Sequence, residues 1–364
     1  MPIVVEVIAV VLAHAIGAWL ITYLLHSTVL IAAAHLSERI RSEPALHAVA
    51  WRTALLAPLF TASLHTALPF GSPLRMGTEP AGAVLGPRPV LSLIIVACWC
   101  VLVAVRLIAI VRAELRARAA MSPRIESSDT RYLRMLATLS NAAGMRRSPR
   151  LTTSPRIFSP AALAPGEICI PDRIFDELTP GQQHALLAHE VAHLVRHDPL
   201  WCGAATAVAA LCFFQPLNTH ALRRLRRSTE HAADARALHH KADPLALGEA
   251  LAALAPHALR SQQLRTAATG SPVLERIQRI LDQPAQQHSA RWIGAVQVIA
   301  LVGLCLAIGP GVNFNVDDAA NSIPSLTPSR AEPTPQMIEM RHLDRRLRVA
   351  ERVVERRVRA GIRP

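Results

Sequence analysis

The sequence lacks the patterns of disulfide-rich, secreted and repeat proteins. Its six cysteines form no CxxC pair and lie mostly in apolar stretches, so we expect small buried hydrophobic side chains rather than disulfides or zinc ligands. No basic leader separates Met1 from the first apolar residues, so no cleavable signal peptide is expected. No repeat with a period of about 20 to 50 residues is present, which argues against repeat architectures.

The sequence also lacks the clustered basic charge of a nucleic-acid-binding protein. Its formal net charge is +13, but arginines occur in short runs beside apolar segments and near the C-terminus. A protein that neutralises phosphates would gather such residues in one patch. Short runs beside apolar segments are typical of loops that face an anionic cytoplasmic leaflet. We therefore expect membrane lipid as a partner and no direct binding of nucleic acid.

Apolar sequence, in contrast, is abundant, at 51% of the residues. Four stretches have about the 20 residues that a helix needs to cross the hydrocarbon core of a bilayer. They are residues 3–30, 45–69, 90–111 and 292–312. Arg52, Pro58 and His65 interrupt the second stretch, so a buried or interfacial helix pair is the alternative there.

Arginines in the short loops predict the orientation of these spans, because cytoplasmic loops are enriched in basic residues. Arg39 and Arg41 follow the first span, and Arg112 and Arg116 follow the third. This pattern predicts an external N-terminus and places the region between the third and fourth spans in the cytoplasm. The expected domains are a three-span region (1–112), a cytoplasmic domain (113–290), a fourth span (291–312) and an extracytoplasmic proline-rich linker with a charged helical tail (313–364).

The polar region between the third and fourth spans has a mixed pattern. We predict a helix over residues 130–143 and short strands over 150–154 and 167–170, with prolines in the turns between them. Thr179 then provides an N-cap, Pro180 a first helical residue and Gln182 the partner of a capping box. These residues predict a helix that runs to about residue 196.

A candidate zinc motif, His189-Glu190-Val191-Ala192-His193, lies in the middle of this helix. Two histidines four residues apart project from one helical face and can bind one zinc ion. Glu190 is then placed to act as general base while a zinc-bound water attacks a peptide bond. Surface histidines on an amphipathic helix would give the same five letters, but the helix start signal and the apolar face favour the zinc site.

A catalytic zinc site needs a third protein ligand. Glu230 is the best candidate, and Asp234 follows one turn later, where it could accept a hydrogen bond from a ligand histidine. His231 is the competing third ligand. Because all ligands must lie on one side of the membrane, we expect the apolar segment 199–217 to be re-entrant or interfacial rather than a single crossing.

Four features carry a resemblance to a known family: the HExxH motif at 189–193, His197-Asp198, Gln215-Pro216-Leu217 before an arginine-rich stretch, and Glu230 with Asp234. In these features the chain resembles the BlaR/MecR-type membrane metallopeptidases, gluzincin relatives of the HtpX-type and CAAX-prenyl-protease-type peptidases. Residues 272–277 look like that family's helix closing the catalytic domain. Residues 313–364 hold no Ser-x-x-Lys motif, so we expect no penicillin-binding sensor domain.

The resemblance implies His189, His193 and Glu230 as zinc ligands. It also implies Glu190 as the catalytic base and Asp234 as the aspartate behind a ligand.

The sequence thus predicts a mainly α-helical membrane protein with about four transmembrane helices and a cytoplasmic α+β, zincin-like catalytic domain with a small edge sheet. We expect a zinc endopeptidase of the bacterial inner membrane with a regulatory role. Its partner would be a cytoplasmic protein substrate, by family analogy a transcriptional repressor, which could add as a strand beside residues 167–170. The alternatives are an HtpX-like quality-control protease and a non-catalytic membrane receptor with a structural zinc.

Overall fold

The computed structural model describes residues 2–67, 89–172, 175–262, 272–282 and 291–308. All of them belong to one compact unit, Met1–Phe314. The predicted linker and charged helix of residues 313–364 lie outside the described residues. The domain boundaries at residues 112 and 290 remain predictions.

The described residues are mainly helical, with one small sheet. The helices are α1 (Pro2–Ile40), α2 (Pro44–Ala67), α3 (Pro89–Ala120), α4 (Thr130–Ala142), α5 (Pro180–Val195), α6 (Asp198–Leu211), α7 (Leu217–His239), α8 (Pro244–Gln262), α9 (Pro272–Asp282) and α10 (Arg291–Ile308). The strands are β1 (Ile125–Glu126), β2 (Arg150–Ser154), β3 (Ala161–Leu163) and β4 (Glu167–Pro171).

Within the described residues, two helices are long and apolar enough to cross a membrane. The qualifying segments are Ala15–Ile40 of α1 and Ile94–Ala120 of α3. The apolar side chains of α3 face outwards almost throughout, with 6% of its apolar window buried, which suits contact with lipid. In α10 the apolar segment Trp292–Ala307 is shorter, and α2 does not qualify, so the second and fourth spans remain predictions.

One apolar core joins α1, α2, α6, α7 and α10. Trp51 and Leu55 of α2 are fully buried there between Leu30 of α1 and Leu225 of α7. Cys305 of α10 closes the same core. Helix α2 packs against α1 and α10 of this core and also against α7, the helix that carries Glu230.

The segment predicted to be re-entrant or interfacial forms α6 and the turn that follows it. At 14 residues α6 is about 21 Å long, shorter than the roughly 30 Å hydrocarbon core. The chain then turns, and α7 packs back against α6. The amide of Gln215 donates to Ser27 Oγ (2.6 Å) and that of Asn218 donates to the Tyr23 hydroxyl (3.0 Å), so the turn is tied to α1.

The sheet has the order β1-β2-β4-β3, with β2 and β4 parallel and the outer pairs antiparallel. The strands predicted over 150–154 and 167–170 are confirmed. The short strands β1 and β3 escaped prediction, since β3 has three residues within a proline-rich stretch. The idea of a substrate strand beside 167–170 is wrong, because β2 and β3 occupy both edges of β4.

Helix α5 begins as its sequence predicts. Thr179 Oγ1 accepts a hydrogen bond from the Gln182 backbone, and the Gln182 side chain accepts one from the Thr179 backbone, completing the capping box. Gln183, which is buried, donates to the carbonyls of Phe175 (2.8 Å) and Leu178 (3.0 Å) and so fixes the approach of the chain. The apolar face of α5 packs on α4, α8 and the sheet.

The cysteines are all free thiols, as expected. Their predicted burial is right for Cys169, Cys212 and Cys305 but wrong for Cys98 and Cys100, which are exposed on α3. The side chains of α3 face away from the rest of the protein, so these two thiols are exposed although the helix itself is apolar.

Replacing the N-cap of α5 provides a test of this local structure. Thr179→Ala should lower the free energy of unfolding by about 1 kcal/mol, because one backbone N–H loses its acceptor. Thr179→Ser, which keeps the hydroxyl, is the matched control. The thermal unfolding midpoints of the detergent-solubilised proteins provide the measurement; equal midpoints for the alanine and serine variants would contradict the capping interaction.

Candidate metal centre

The two histidines of α5 face one another across a single point. His189 and His193 are buried, and their Nε2 atoms lie 3.0 Å apart. Each ring has its Nδ1 beside a carboxylate, and the two Nε2 atoms face one another. Nitrogens this close can share either a proton or, with a third donor, one metal cation.

Glu230 of α7 completes a set of three donor atoms. Its carboxylate oxygens lie 3.6 Å from His189 Nε2 and 3.7 Å from His193 Nε2, and all three donor atoms lie within 4.8 Å of one another. Ligands about 2.0 to 2.2 Å from one tetrahedral ion are separated by about 3.3 to 3.6 Å. The separations of 3.0, 3.6 and 3.7 Å between these atoms lie within a few tenths of an ångström of that range, so the three side chains can hold a single metal ion of this size.

Asp234 stands behind His189. It lies one helical turn after Glu230 on α7, is buried, and places Oδ1 2.9 Å from His189 Nδ1. A carboxylate in this position fixes the tautomer and orientation of the ring and makes Nε2 a better donor to a metal. Because Glu230 and Asp234 are four residues apart on α7, Glu230 lies beside Nε2 of His189 and Asp234 lies beside Nδ1.

Asp198 has the equivalent place behind His193, a position that the sequence reasoning did not assign. Its Oδ2 lies 2.8 Å from His193 Nδ1, and its side chain is 3% exposed. Residue 197 adopts a left-handed conformation (φ 54°), which turns the chain sharply between α5 and α6. Asp198 then starts α6, where the helix dipole also favours its negative charge. The only earlier signal was the His-Asp pair four residues after the motif.

Arg276 of α9 is the second residue that sequence reasoning left without a role. Its guanidinium donates to Asp234 Oδ1 (2.7 Å) and Oδ2 (2.9 Å) and lies 2.9 Å from Glu230 Oε2. A planar guanidinium with several donors suits two carboxylates at once. Arg276 therefore holds both α7 carboxylates in register and links α9 to the site.

The charges of the site perturb one another strongly. Burial opposes a charge on His189, but Asp234 and Glu230 outweigh it and raise the pKa of His189 to about 10. Burial likewise opposes ionisation of Glu230, but His189 and Arg276 outweigh it and lower the pKa of Glu230 to about 2. The same negative surroundings that favour a proton on His189 would favour a metal cation.

A cavity of about 380 Å³ opens over these residues. Glu190, which is 6% exposed, lines it together with both histidines and Glu230. Strand β3 and the loop before it also line the cavity, as do Asp198, Thr229 and Arg276 and several small or apolar side chains. These include Ser159, Pro160, Ala161, Ala162, Leu186 and Leu251.

The competing ligand His231 does not join the three donors. It is buried, and its Nδ1 lies 3.2 Å from an Arg279 nitrogen while Nε2 lies 4.0 Å from Glu275. Burial and the positive charge of Arg279 lower the pKa of His231 to about 4. Of the two candidates, the structure brings Glu230 to the histidines.

A protein-family model described as BlaR1 peptidase M56 matches residues 83–304, which is more than half of the chain and includes every residue of the candidate site. Among curated proteins, none matches the chain with significance.

The carboxylate behind His189 can be tested directly. Asp234→Asn should weaken binding of a divalent metal by about 10- to 100-fold, because the substitution removes the negative charge behind Nδ1 and leaves an amide that is a weaker acceptor. Asp172→Asn, at an exposed position after β4, is the matched control and should bind as wild type does. Chelator competition on the purified protein supplies the affinities. Wild-type affinity in Asp234→Asn would show that Asp234 does not support the ligand.

Proposed function

Because the chain belongs to the BlaR1 peptidase family, and is therefore a membrane metallopeptidase that acts on protein or peptide, we propose that it is a zinc-dependent endopeptidase with a regulatory role. The observation that carries this proposal is the convergence of His189, His193 and Glu230 at one point beside Glu190. Two imidazoles and one carboxylate are a ligand set that suits zinc and leaves a fourth position open.

In this proposal each side chain has a defined task. His189, His193 and Glu230 hold the ion, while Asp234 and Asp198 keep the two rings oriented. A bound zinc would acidify a water molecule and polarise the scissile carbonyl. Glu190 accepts the proton of the attacking water and passes it to the leaving amine. Its burial in the cavity keeps bulk water from competing for that proton.

The substrate backbone would bind along β3. This strand is at the end of the sheet order, and within the described residues no strand pairs with its outer edge. Ala161 and Ala162 of β3 line the same cavity as Glu190. An extended peptide that pairs with this edge would pass directly over the metal centre. Pro160, Leu186 and Leu251 then favour a small or apolar side chain beside the cleaved bond.

We propose the predicted topology as the setting of this reaction. About four spans would hold a zincin-like catalytic domain on the cytoplasmic face of the bacterial inner membrane. The helical hairpin of α6 and α7 supports this arrangement, since it lets Glu230 return to the side of His189. The proposed substrate is a cytoplasmic protein, for which a transcriptional repressor is the candidate that the family suggests.

The catalytic base provides the decisive test. Glu190→Gln should reduce cleavage by at least about 100-fold, because the amide cannot accept the proton of the attacking water. Its zinc content should equal that of the wild type, since Glu190 is not a ligand. Mass spectrometry of new protein N-termini in cells that produce either form would supply the cleavage measurement and reveal the substrate.

Glu177→Gln, at an exposed position before α5, is the control and should cleave as wild type does. A Glu190→Gln protein with an undiminished set of new N-termini would contradict the endopeptidase mechanism. Many cleaved membrane proteins, rather than one dominant target, would identify a quality-control protease instead of a regulatory one.

A further inference from the structure

We propose that Arg52 of α2 is a positioning residue for the metal centre, which sets the orientation of His193 through Asp198. The inference rests on the proposed function, because it assumes that His193 is a metal ligand. It adds a residue from the N-terminal helical bundle, 146 positions before Asp198 in sequence, to the machinery of the site.

The contacts form a chain of three groups. An Arg52 guanidinium nitrogen donates to Asp198 Oδ1, and Asp198 Oδ2 lies 2.8 Å from His193 Nδ1. The Arg52 side chain is 14% exposed and that of Asp198 is 3% exposed, so little water competes for either contact. Oδ1 of Asp198 thus contacts Arg52, and Oδ2 contacts His193.

Neutralising Asp198 does not require Arg52. Arg196, two residues before Asp198 in the chain, already donates to Oδ2 at 3.2 Å. That is the oxygen which also serves His193, so Arg196 cannot fix the rotation of the carboxylate. Among the contacts of the described residues, Arg52 alone holds Oδ1. Without Arg52 the carboxylate is free to rotate toward Arg196 and away from the imidazole.

The position of Arg52 is itself well determined. Its guanidinium carbon lies 5.8 Å from the ring centroid of Trp201 on α6, within cation–π range. The neighbouring Trp51 is fully buried in the bundle core, and its indole N–H donates to Glu38 Oε1 at 2.6 Å. A guanidinium in a mostly apolar helix is costly to bury unless it is paired, which argues for a specific task.

Helix α2 is therefore linked to the metal centre by two routes, one to His193 of α5 and one to α7 near Glu230. Through Arg52 it reaches the ring of His193. Through Trp51 it holds Glu38, which also accepts from Ser228 Oγ (3.4 Å) on α7, two residues before Glu230. The ligand geometry thus depends on how α2 sits in the bundle.

The test uses the full chain in detergent micelles. Arg52→Gln should weaken zinc binding by about 10- to 100-fold and change the visible spectrum of the cobalt-loaded protein, because His193 loses its fixed orientation. Arg52→Lys should lose less affinity, since it keeps the charge. In an Asp198→Asn background, Arg52→Gln should cause no further loss. Arg118→Gln, which removes an exposed ion pair of α3 with Glu114, is the control and should match wild type.

Several outcomes would overturn the inference. An Arg52→Gln protein with a lower melting temperature but unchanged zinc affinity and cobalt spectrum would show a purely structural role. Additive losses in the double variant would show that Arg52 does not act through Asp198. If Arg52→Gln fails to fold, Arg52→Met, which keeps much of the side-chain length without the charge or the donors, decides, and a wild-type zinc affinity and cobalt spectrum in that variant reject the inference.

The proposed function fails separately. A wild-type protein that binds no zinc, or a His193→Ala variant that binds zinc as tightly as wild type, would reject the metal centre itself. If zinc binding requires His193 but is unchanged in Arg52→Gln, the inference about Arg52 is rejected while the metal centre stands.

Discussion

Two histidine nitrogens that face one another 3.0 Å apart inside the protein impose the constraint on which the rest of the site depends. Both rings are buried, so the surrounding residues must fix their orientation and supply negative charge. Asp234 does this behind His189 and Asp198 behind His193, while Glu230 lies beside both. A metal cation is the partner that satisfies all three donors together.

This constraint explains the arrangement of the helices around α5. The supporting carboxylates come from α6 and α7, so the chain must turn immediately after α5 and again after α6. The left-handed residue His197 makes the first turn, and the contacts of Gln215 and Asn218 with α1 hold the second. Arginines from three elements then balance the buried carboxylates: Arg276 from α9, Arg196 from the end of α5 and Arg52 from α2.

The sequence predicts the parts of this site that depend on local spacing. The capping box of Thr179 and Gln182 locates α5, and intervals of four residues place His189 with His193 and Glu230 with Asp234 on common helical faces. Contacts between distant segments carry no such period. Arg276 lies 42 residues after Asp234, and Arg52 lies 146 residues before Asp198.

The fold shows the same division between local and distant information. Helices with strong start signals and strands of five residues were predictable, because several residues contribute to each pattern. Strand β3 has three residues and exists through its pairing with β4, which the sequence of β3 does not encode. Its pairing with β4 leaves no free edge for the substrate strand that was expected beside residues 167–170. Exposed Cys98 and Cys100 also follow from tertiary placement, because α3 meets few neighbours.

The outer edge of β3 has a consequence for the choice of target. A strand edge offers hydrogen bonds only to a backbone whose own N–H and C=O groups are unpaired, and a helix about 10 Å across would not present them. If a substrate pairs with this edge as proposed, a folded target must open locally before it can be cut. The free energy of that opening, which differs widely between segments of one protein, would then select the cleaved bond as much as the side chains beside it.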